Sequence, residues 1–355
     1  MKPLSIMKLM FRHLPLVLLA FAGLAVAQPP KPDTPKLEIY WIDTEGDAAT
    51  LLVTSTGQSL LIDSGGNDAD DRDARRIFDV AAKEAGLKKI DYLLTTHFAP
   101  DHEGGAAALA KLIPIEHFLD HGDSVDTQTP EGDKLFSAYR QLVAGKRRIL
   151  KAGERLPLTG AQIDVVASNG AVLDHPLEGA AANPLCAKEK TKPADRTEEG
   201  RSVGILLTVG KFRYLNLGDL PWERELALAC PINNLGIVTL FDASSHGFDQ
   251  NKSGAPAFVW AIDPQIVVIN NAEHKGLNAQ AWDTISRIPR VQGIWQQHVS
   301  LDQPDKLTAH NTRGLMIANT SATVHGFWLK ASLSPAGNVT VTNSRNGYTE
   351  VYAPR

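Results

Sequence analysis

The segment DYLLTTHFAPDHEGG, residues 91–105, runs from apolar Tyr92, Leu93 and Leu94 into His97, Asp101 and His102, then into Gly104-Gly105. Imidazole nitrogens and a carboxylate straight after a buried strand suit a metal ion. The strand fixes the donors, and the loop beyond it admits a substrate. Buried without a shared purpose, an adjacent Asp101-His102 beside His97 would only cost solvation. Other strand ends carry the same residue types: Asp63 closes LLID, Asp219 closes YLNLGD, and His246 follows VTLFDASSH. A lone Asp after a strand is ordinarily a turn or helix cap, so Asp63 alone says little. Four strand ends together point to a metal centre. Its nitrogen and oxygen donors fit zinc, or manganese or iron where oxygen predominates.

The elements that must position these residues are legible as alternation and punctuation. KLEIYWID, ATLLVTS and QSLLID are rich in β-branched and aromatic residues and read as strands. DARRIFDVAAKEAG, GGAAALAKLI and KLFSAYRQLVAG have helical apolar spacing, the first and last closed by Gly. Strands return at AQIDVVAS, GILLTVG, KFRYLNLG, LGIVTLFDAS and DPQIVVINN, with a helix at AQAWDTISRI. HGFWLKASL and NVTVTNS make a C-terminal hairpin around SPAGN. Strands in runs followed by alternation with helices imply a mixed-sheet α/β or α+β domain. Residues 174–201 carry mixed charge without periodicity and read as a long, exposed insertion loop.

Residues 1–27 stand apart. Lys2, Lys8 and Arg12 precede LPLVLLAFAGLAVA, which ends in Ala25-Val26-Ala27. That is the pattern of a secretory signal peptide, and the apolar run is short for a spanning helix, which needs about 20 residues. Residues 28–36, QPPKPDTPK, form a Pro-rich linker, and 37–355 form the domain. Three of the 36 basic residues leave with the leader, so 33 face 40 acidic ones. This balance disfavours a nucleic-acid partner. The expected location is periplasmic or extracellular, with no membrane span once the leader is cleaved. Cys186 and Cys230 lack metal-site spacing; export would permit them to pair, and their spacing leaves that open.

GDAATLLV…LLIDSGG, TTHFAPDHEGG, YLNLGDL and DASSHGF fall in the order and spacing of the metallo-β-lactamase fold, over residues 37 to about 300. The chain is most similar to the branch found in bacterial competence (DNA-uptake) proteins, whose D-x-G-x-G-D-A opening is echoed by WIDTEGDAAT and whose late His-Gly is echoed by His246-Gly247. The resemblance implies a four-layer αβ/βα sandwich of α+β class: two mixed sheets face each other, with helices outside. It also implies two metals bridged by Asp219. Here the H-x-H-x-D-H motif is altered. His97, Asp101 and His102 match, while Ala99 stands at the middle ligand. The third-motif strand end, DVVASNG, offers Ser168 and Asn169 and no imidazole, with His175 further along.

One site would therefore keep only His97 and Asp219 and be weak or empty. The other, with Asp101, His102, Asp219 and His246, is complete. The family role of Asp63 is to support a ligand through hydrogen bonds. His274, after the late strand, is a further candidate for the pocket, and His121 for its mouth. His298, His310 and His325 read as structural.

The expected function is exported, metal-dependent hydrolysis, with Asp101 and His102 in the catalytic role and metal-bound hydroxide attacking an ester, lactone, amide or phosphodiester bond. Asp101 has an alternative role as base if it does not bind the ion. The competing reading is a non-catalytic binding module with one structural or vestigial metal. A nuclease is disfavoured by the acidic charge.

Overall fold

A computed structural model describes residues 35–68, 70–301, 310–320 and 326–355. The leader, most of the linker and His325 lie outside the described residues. Asp33–Arg355 forms one compact unit. The first sheet has nine strands, in the spatial order Thr349–Tyr352, Val339–Asn343, Leu329–Leu333, Leu37–Trp41, Thr50–Thr54, Ser59–Ile62, Ile90–Leu94, Ile115–Asp120 and Arg147–Ile149. The second runs Ile317–Asn319, Gly293–His298, Ile266–Ile269, Leu240–Asp242, Phe212–Asn216, Gly204–Val209, Gln162–Ser168 and Arg155–Leu156, with Ala171–Val172 pairing off the path. Both sheets mix parallel and antiparallel neighbours. The expected C-terminal hairpin forms, with Leu329↔Asn343 and Leu333↔Val339 as its ends.

Strand alternation builds three apolar layers. Leu37, Ile39, Trp41, Leu52, Leu60 and Leu94 of the first sheet meet Val165, Ile205, Leu207, Tyr214, Val268 and Trp295 of the second. The opposite faces take the helices. Ala74, Ile77, Leu109, Phe136 and Tyr139 pack on Tyr40, Leu51, Leu61, Leu93 and Phe118. Trp222, Leu226, Phe258, Ile262 and Ile285 pack on Leu206, Leu215, Phe241 and Val267. This is the αβ/βα sandwich, with both sheets covered on both sides over most of their width.

Local chemistry sets the helix ends. Thr129 accepts from Gly132 N at 3.0 Å ahead of Pro130 at the first position of the helix Pro130–Leu142. Asn278 accepts from the amides of Gln280 and Ala281 to start Ala279–Ser286.

Most of segment 174–201 is exposed, but it is tied to the body of the domain at a few points. Asn183 and Glu198 are buried in it. Asn183 Nδ2 donates to the carbonyls of Ala229 and Ala257. Cys186 forms a disulfide with Cys230, directly after the helix Trp222–Ala229. Among the described residues no helix is long and apolar enough to cross a membrane.

Candidate metal centre

Parallel strands place the functional residues on one edge of the sandwich. Ser59–Ile62 and Ile90–Leu94 run parallel in one sheet. In the other, Phe212–Asn216, Leu240–Asp242 and Ile266–Ile269 run parallel. Their carboxyl ends face the same crevice, where open α/β sheets hold ligands. Asp63, His97, Asp219 and His246 are the residues that leave those ends.

The turn Pro100–Glu103 carries Asp101 and His102. It lies against the Ser64–Gly66 loop: His102 O accepts from Ser64 N at 2.7 Å, and Gly105 N donates to Gly65 O at 3.0 Å. A Cβ on Gly104 would stand 2.2 Å from Pro100 O, and one on Gly105 would stand 2.1 Å from Ser64 O. Only glycine permits this approach. The GDAAT segment supports the same turn, Ala48 N donating to Asp101 O at 2.9 Å.

The donor atoms converge. His102 Nε2 lies 3.7 Å from Asp101 Oδ2 and 3.6 Å from Asp219 Oδ1. His246 Nε2 lies 3.4 Å from the same Asp101 oxygen and 3.6 Å from Asp219 Oδ2. Donors around a tetrahedral zinc sit roughly 3.3 to 3.4 Å apart, given bonds near 2.0–2.1 Å. The buried His102 Nε2 and both nitrogens of His246 make no hydrogen bond among the described residues. Orphaned buried nitrogens beside two carboxylates are what one cation would satisfy. His246 is held by a left-handed turn, with φ of 47° at Ser245, 55° at His246 and 89° at Gly247; such backbone clusters at functional sites.

Asp63 and Thr96 orient His102. Asp63 Oδ1 accepts from Thr96 N at 2.7 Å, and Oδ2 accepts from Thr96 Oγ1 at 2.8 Å and pairs with His102 Nδ1 at 2.8 Å. With Nδ1 engaged, Nε2 is presented to the cage. His97 joins His102 and Asp219 in a second, overlapping group of possible ligand atoms; its ring centroid is 4.1 Å from that of His102.

The field of the site favours a positive charge. Burial would lower the pKa of His102, but Asp63, Asp101 and Asp219 together raise it well above the usual imidazole value. Burial opposes ionisation of Asp101, yet His102, His246 and Lys275 hold its pKa below the usual range. Asp219 behaves likewise, with His246 and His102 outweighing its burial. His97 is pushed down to about 4 by burial and by the neighbouring His102.

Several expectations fall elsewhere. Asn169 is exposed at the end of Gln162–Ser168, exchanging bonds with Arg201. His175 is exposed beside Asp174. His274 is exposed, and the next residue, Lys275, is the one that reaches the site, 2.5 Å from Asp101 Oδ2. His121, expected near the cleft mouth, is fully buried against Glu198. His117 lies within the strand Ile115–Asp120 and stacks on Tyr92. His298 is buried with Nε2 2.7 Å from Asp43 Oδ1. Asp43, Glu45 and His298 form a third group of possible ligands, but Arg76 contacts both acids at 3.0 Å and supplies their counter-charge. Sequence reasoning missed Lys275 and Glu198. NNAEHKG offered the first as a polar residue after the late strand; nothing in RTEEGR singled out the second.

Residues 43–180 match the family model of the metallo-beta-lactamase superfamily. A UPF0173 metal-dependent hydrolase of Cupriavidus necator is 27% identical over 194 residues, which is 53% of this chain. The chain spans only 57% of that relative's length. Among solved structures, the metallo-beta-lactamase fold protein YhfI of Bacillus subtilis aligns with TM-score 0.46 and 11% identity, over 73% of this chain and 95% of its own. Igni18, a metallo hydrolase of Ignicoccus hospitalis, aligns with TM-score 0.42 and 12% identity, over 72% and 94%. With two facing mixed sheets, helices outside both and the family's signature across residues 43–180, the chain has the metallo-β-lactamase fold.

Proposed function

We propose that this chain is a metal-dependent hydrolase in which Asp101, His102, Asp219 and His246 hold one divalent ion tightly. Zinc leads the candidates, with manganese or iron next. One observation carries the reading: four donors at 3.4 to 3.7 Å, with the buried Nε2 of His102 and both ring nitrogens of His246 making no hydrogen bond among the described residues. The name of the Cupriavidus necator relative supports it. The chemistry such an ion supplies when bound is activation of water near neutral pH and polarisation of the scissile bond. The chain's own contributions are distinct. Asp63 and Thr96 fix the ring of His102, and Asp219 faces both imidazoles. Asp101 is a ligand or, if displaced, a proton acceptor. His97 is left with a partial ligand set, because Ala99 supplies no donor and Asn169 is directed to Arg201. The scissile bond belongs to an ester, lactone, amide or phosphodiester.

The second reading, a binding module with one structural metal, draws on the same two altered positions. One experiment separates them: elemental analysis after dialysis, followed by a panel of chromogenic ester, lactone, phosphodiester and β-lactam substrates. About one ion per chain with turnover of one class supports the hydrolase. An ion without any turnover favours the binding module, and a chain that retains no ion defeats both. Export is part of the proposal, supported by the leader pattern and by the Cys186–Cys230 disulfide.

A further inference from the structure

Lys275 enters the site from the loop after Ile266–Ile269. Its Nζ lies 2.5 Å from Asp101 Oδ2 and 2.8 Å from the carbonyl oxygen of Gly46. The Asp101 oxygen is the one facing His102 Nε2 and His246 Nε2. The backbone sets this placement independently of Asp101. Ala272 N donates to Lys275 O at 3.0 Å, and Leu277 N donates to Gly247 O at 2.9 Å. Between them, Gly276 presses on the His246 turn so closely that a Cβ there would stand 1.8 Å from His246 O. The lysine is thus clamped to the same turn that presents His246.

An ammonium carries three donors and no acceptor. Two are taken by Asp101 and Gly46, and the side chain is 31% exposed. One donor remains available to a ligand at the mouth of the cage. Lys252 also feels Asp219, but Glu199 pairs with it at 3.0 Å. A neutral ester covering Lys275 would strip water from the ammonium and return no charge. An oxyanion replaces that water with a charge-assisted hydrogen bond, and lysine serves phosphate groups as such a point charge. A phosphoryl group has several oxygens, so one can meet Lys275 while the rest of the group faces the cage.

We propose that Lys275 is a substrate-binding residue that receives an oxyanion beside the four-donor cage, and that phosphoesters are the substrate class of this site. The proposal rests on the hydrolase reading. Its test compares zinc-loaded wild type with Lys275→Met by isothermal titration with inorganic phosphate and, in a parallel arm, with acetate at equal ionic strength. Metal content and melting temperature are measured on the same samples. Loss of a hydrogen bond to a charged group predicts phosphate binding weakened about 10- to 100-fold, with metal content unchanged. Acetate should bind weakly to both proteins. In turnover, KM for a chromogenic phosphodiester should rise in the variant.

Phosphate binding equal to wild type in Lys275→Met would overturn the assignment, as would loss of the metal, which would make Lys275 a ligand-positioning residue. Acetate binding as tightly as phosphate would overturn the substrate class. A wild type that holds no zinc fails the hydrolase reading instead, which keeps the two failures apart. Should Lys275→Met not fold, Lys275→Gln keeps a donor for Gly46 O and carries the same comparison.

Discussion

Glu198→Gln tests whether the carboxylate that ties segment 174–201 to the loop after His97 is held as a charge. Glu198 is 6% exposed, and its carboxylate is enclosed by donors. Oε2 pairs with His121 Nε2 at 2.9 Å and accepts from Phe98 N at 3.1 Å. Oε1 accepts from Ser124 Oγ at 2.9 Å and from Val125 N at 2.5 Å. Burial alone would raise its pKa, but His121 and the two amides bring it down to about 2 from an ordinary 4.5. Glutamine matches the protonated acid in shape and carries no charge. The gap between 4.5 and about 2 corresponds to about 3 kcal/mol. Because the folded pKa is depressed, this stability is fully present above pH 4.5 and is lost as pH falls from 4.5 toward 2. At pH 7 the variant should lose about 3 kcal/mol, roughly 5 to 10 °C in melting temperature. The difference from wild type should shrink steadily below pH 4.5. Urea unfolding at a series of pH values measures it, and hydrogen exchange at the Phe98 and Val125 amides should accelerate. Equal stability at pH 7, or a deficit that does not change with pH, would show that the carboxylate is not held as a charge.

The other predictions concern the cage and the leader. Asp219→Ala should lower metal affinity steeply, more than the 10- to 100-fold typical of losing a residue that merely orients a ligand. It should still melt cooperatively, since Ile205, Leu206, Leu207 and Leu215 are untouched; wild-type metal content after dialysis would refute its role. Asp63→Asn keeps a residue that tolerates the φ of 59° and removes the charge on His102. Its zinc affinity, read by competition with a chromophoric chelator, should fall about 10- to 100-fold. Ala99→His restores the missing donor beside His97 and should raise bound metal from about one ion per chain toward two. The mature chain should begin at Gln28, and an intact mass from the native envelope or medium that retains Met1–Ala27 would defeat that expectation.

The sequence exposed the strands rich in β-branched, aromatic and other apolar residues, and the helices whose apolar spacing ends in glycine. Leu37–Trp41, Thr50–Thr54, Ile90–Leu94 and Gln162–Ser168 were all legible for that reason. Elements with a buried ionisable residue or no polar face were not. Trp222–Ala229 hides behind Glu225, which is fully buried and accepts from the amides of Gly254 and Ala255. Pro256–Ile262, PAFVWAI, is so uniformly apolar that it shows no helical stripe. The same limit governs the site. Asp63, His97, Asp101, His102, Asp219 and His246 announce themselves because they interrupt strand ends. Lys275 and Glu198 sit in polar loops, where another charged residue carries no signal until the chain folds.

Ala99, Asn169 and segment 174–201 look like separate departures along the sequence, but the structure joins them. The final turn of the segment, Glu198 to Arg201, touches Asn169 and the residue beside Ala99. Glu198 receives the amide of Phe98, next to Ala99, and so holds the loop that follows His97. Arg201 O accepts from Asn169 N at 2.9 Å, and its guanidinium reaches the Asn169 side chain. Phe98 in turn packs edge-on against His121, Phe136 and Tyr139, with ring centroids 4.8 to 5.1 Å away. The loop that follows His97 is therefore held between an aromatic cluster and a buried carboxylate committed to other donors. Glu198 cannot serve as the missing ligand without giving up the four bonds that hold it. This is why Ala99→His and Glu198→Gln should act differently. The first adds a donor within an intact loop, while the second loosens the loop and adds none. If Glu198→Gln alone raised metal content toward two ions, the segment would be a plug over an otherwise competent site, and the altered motif would not be what limits the second ion.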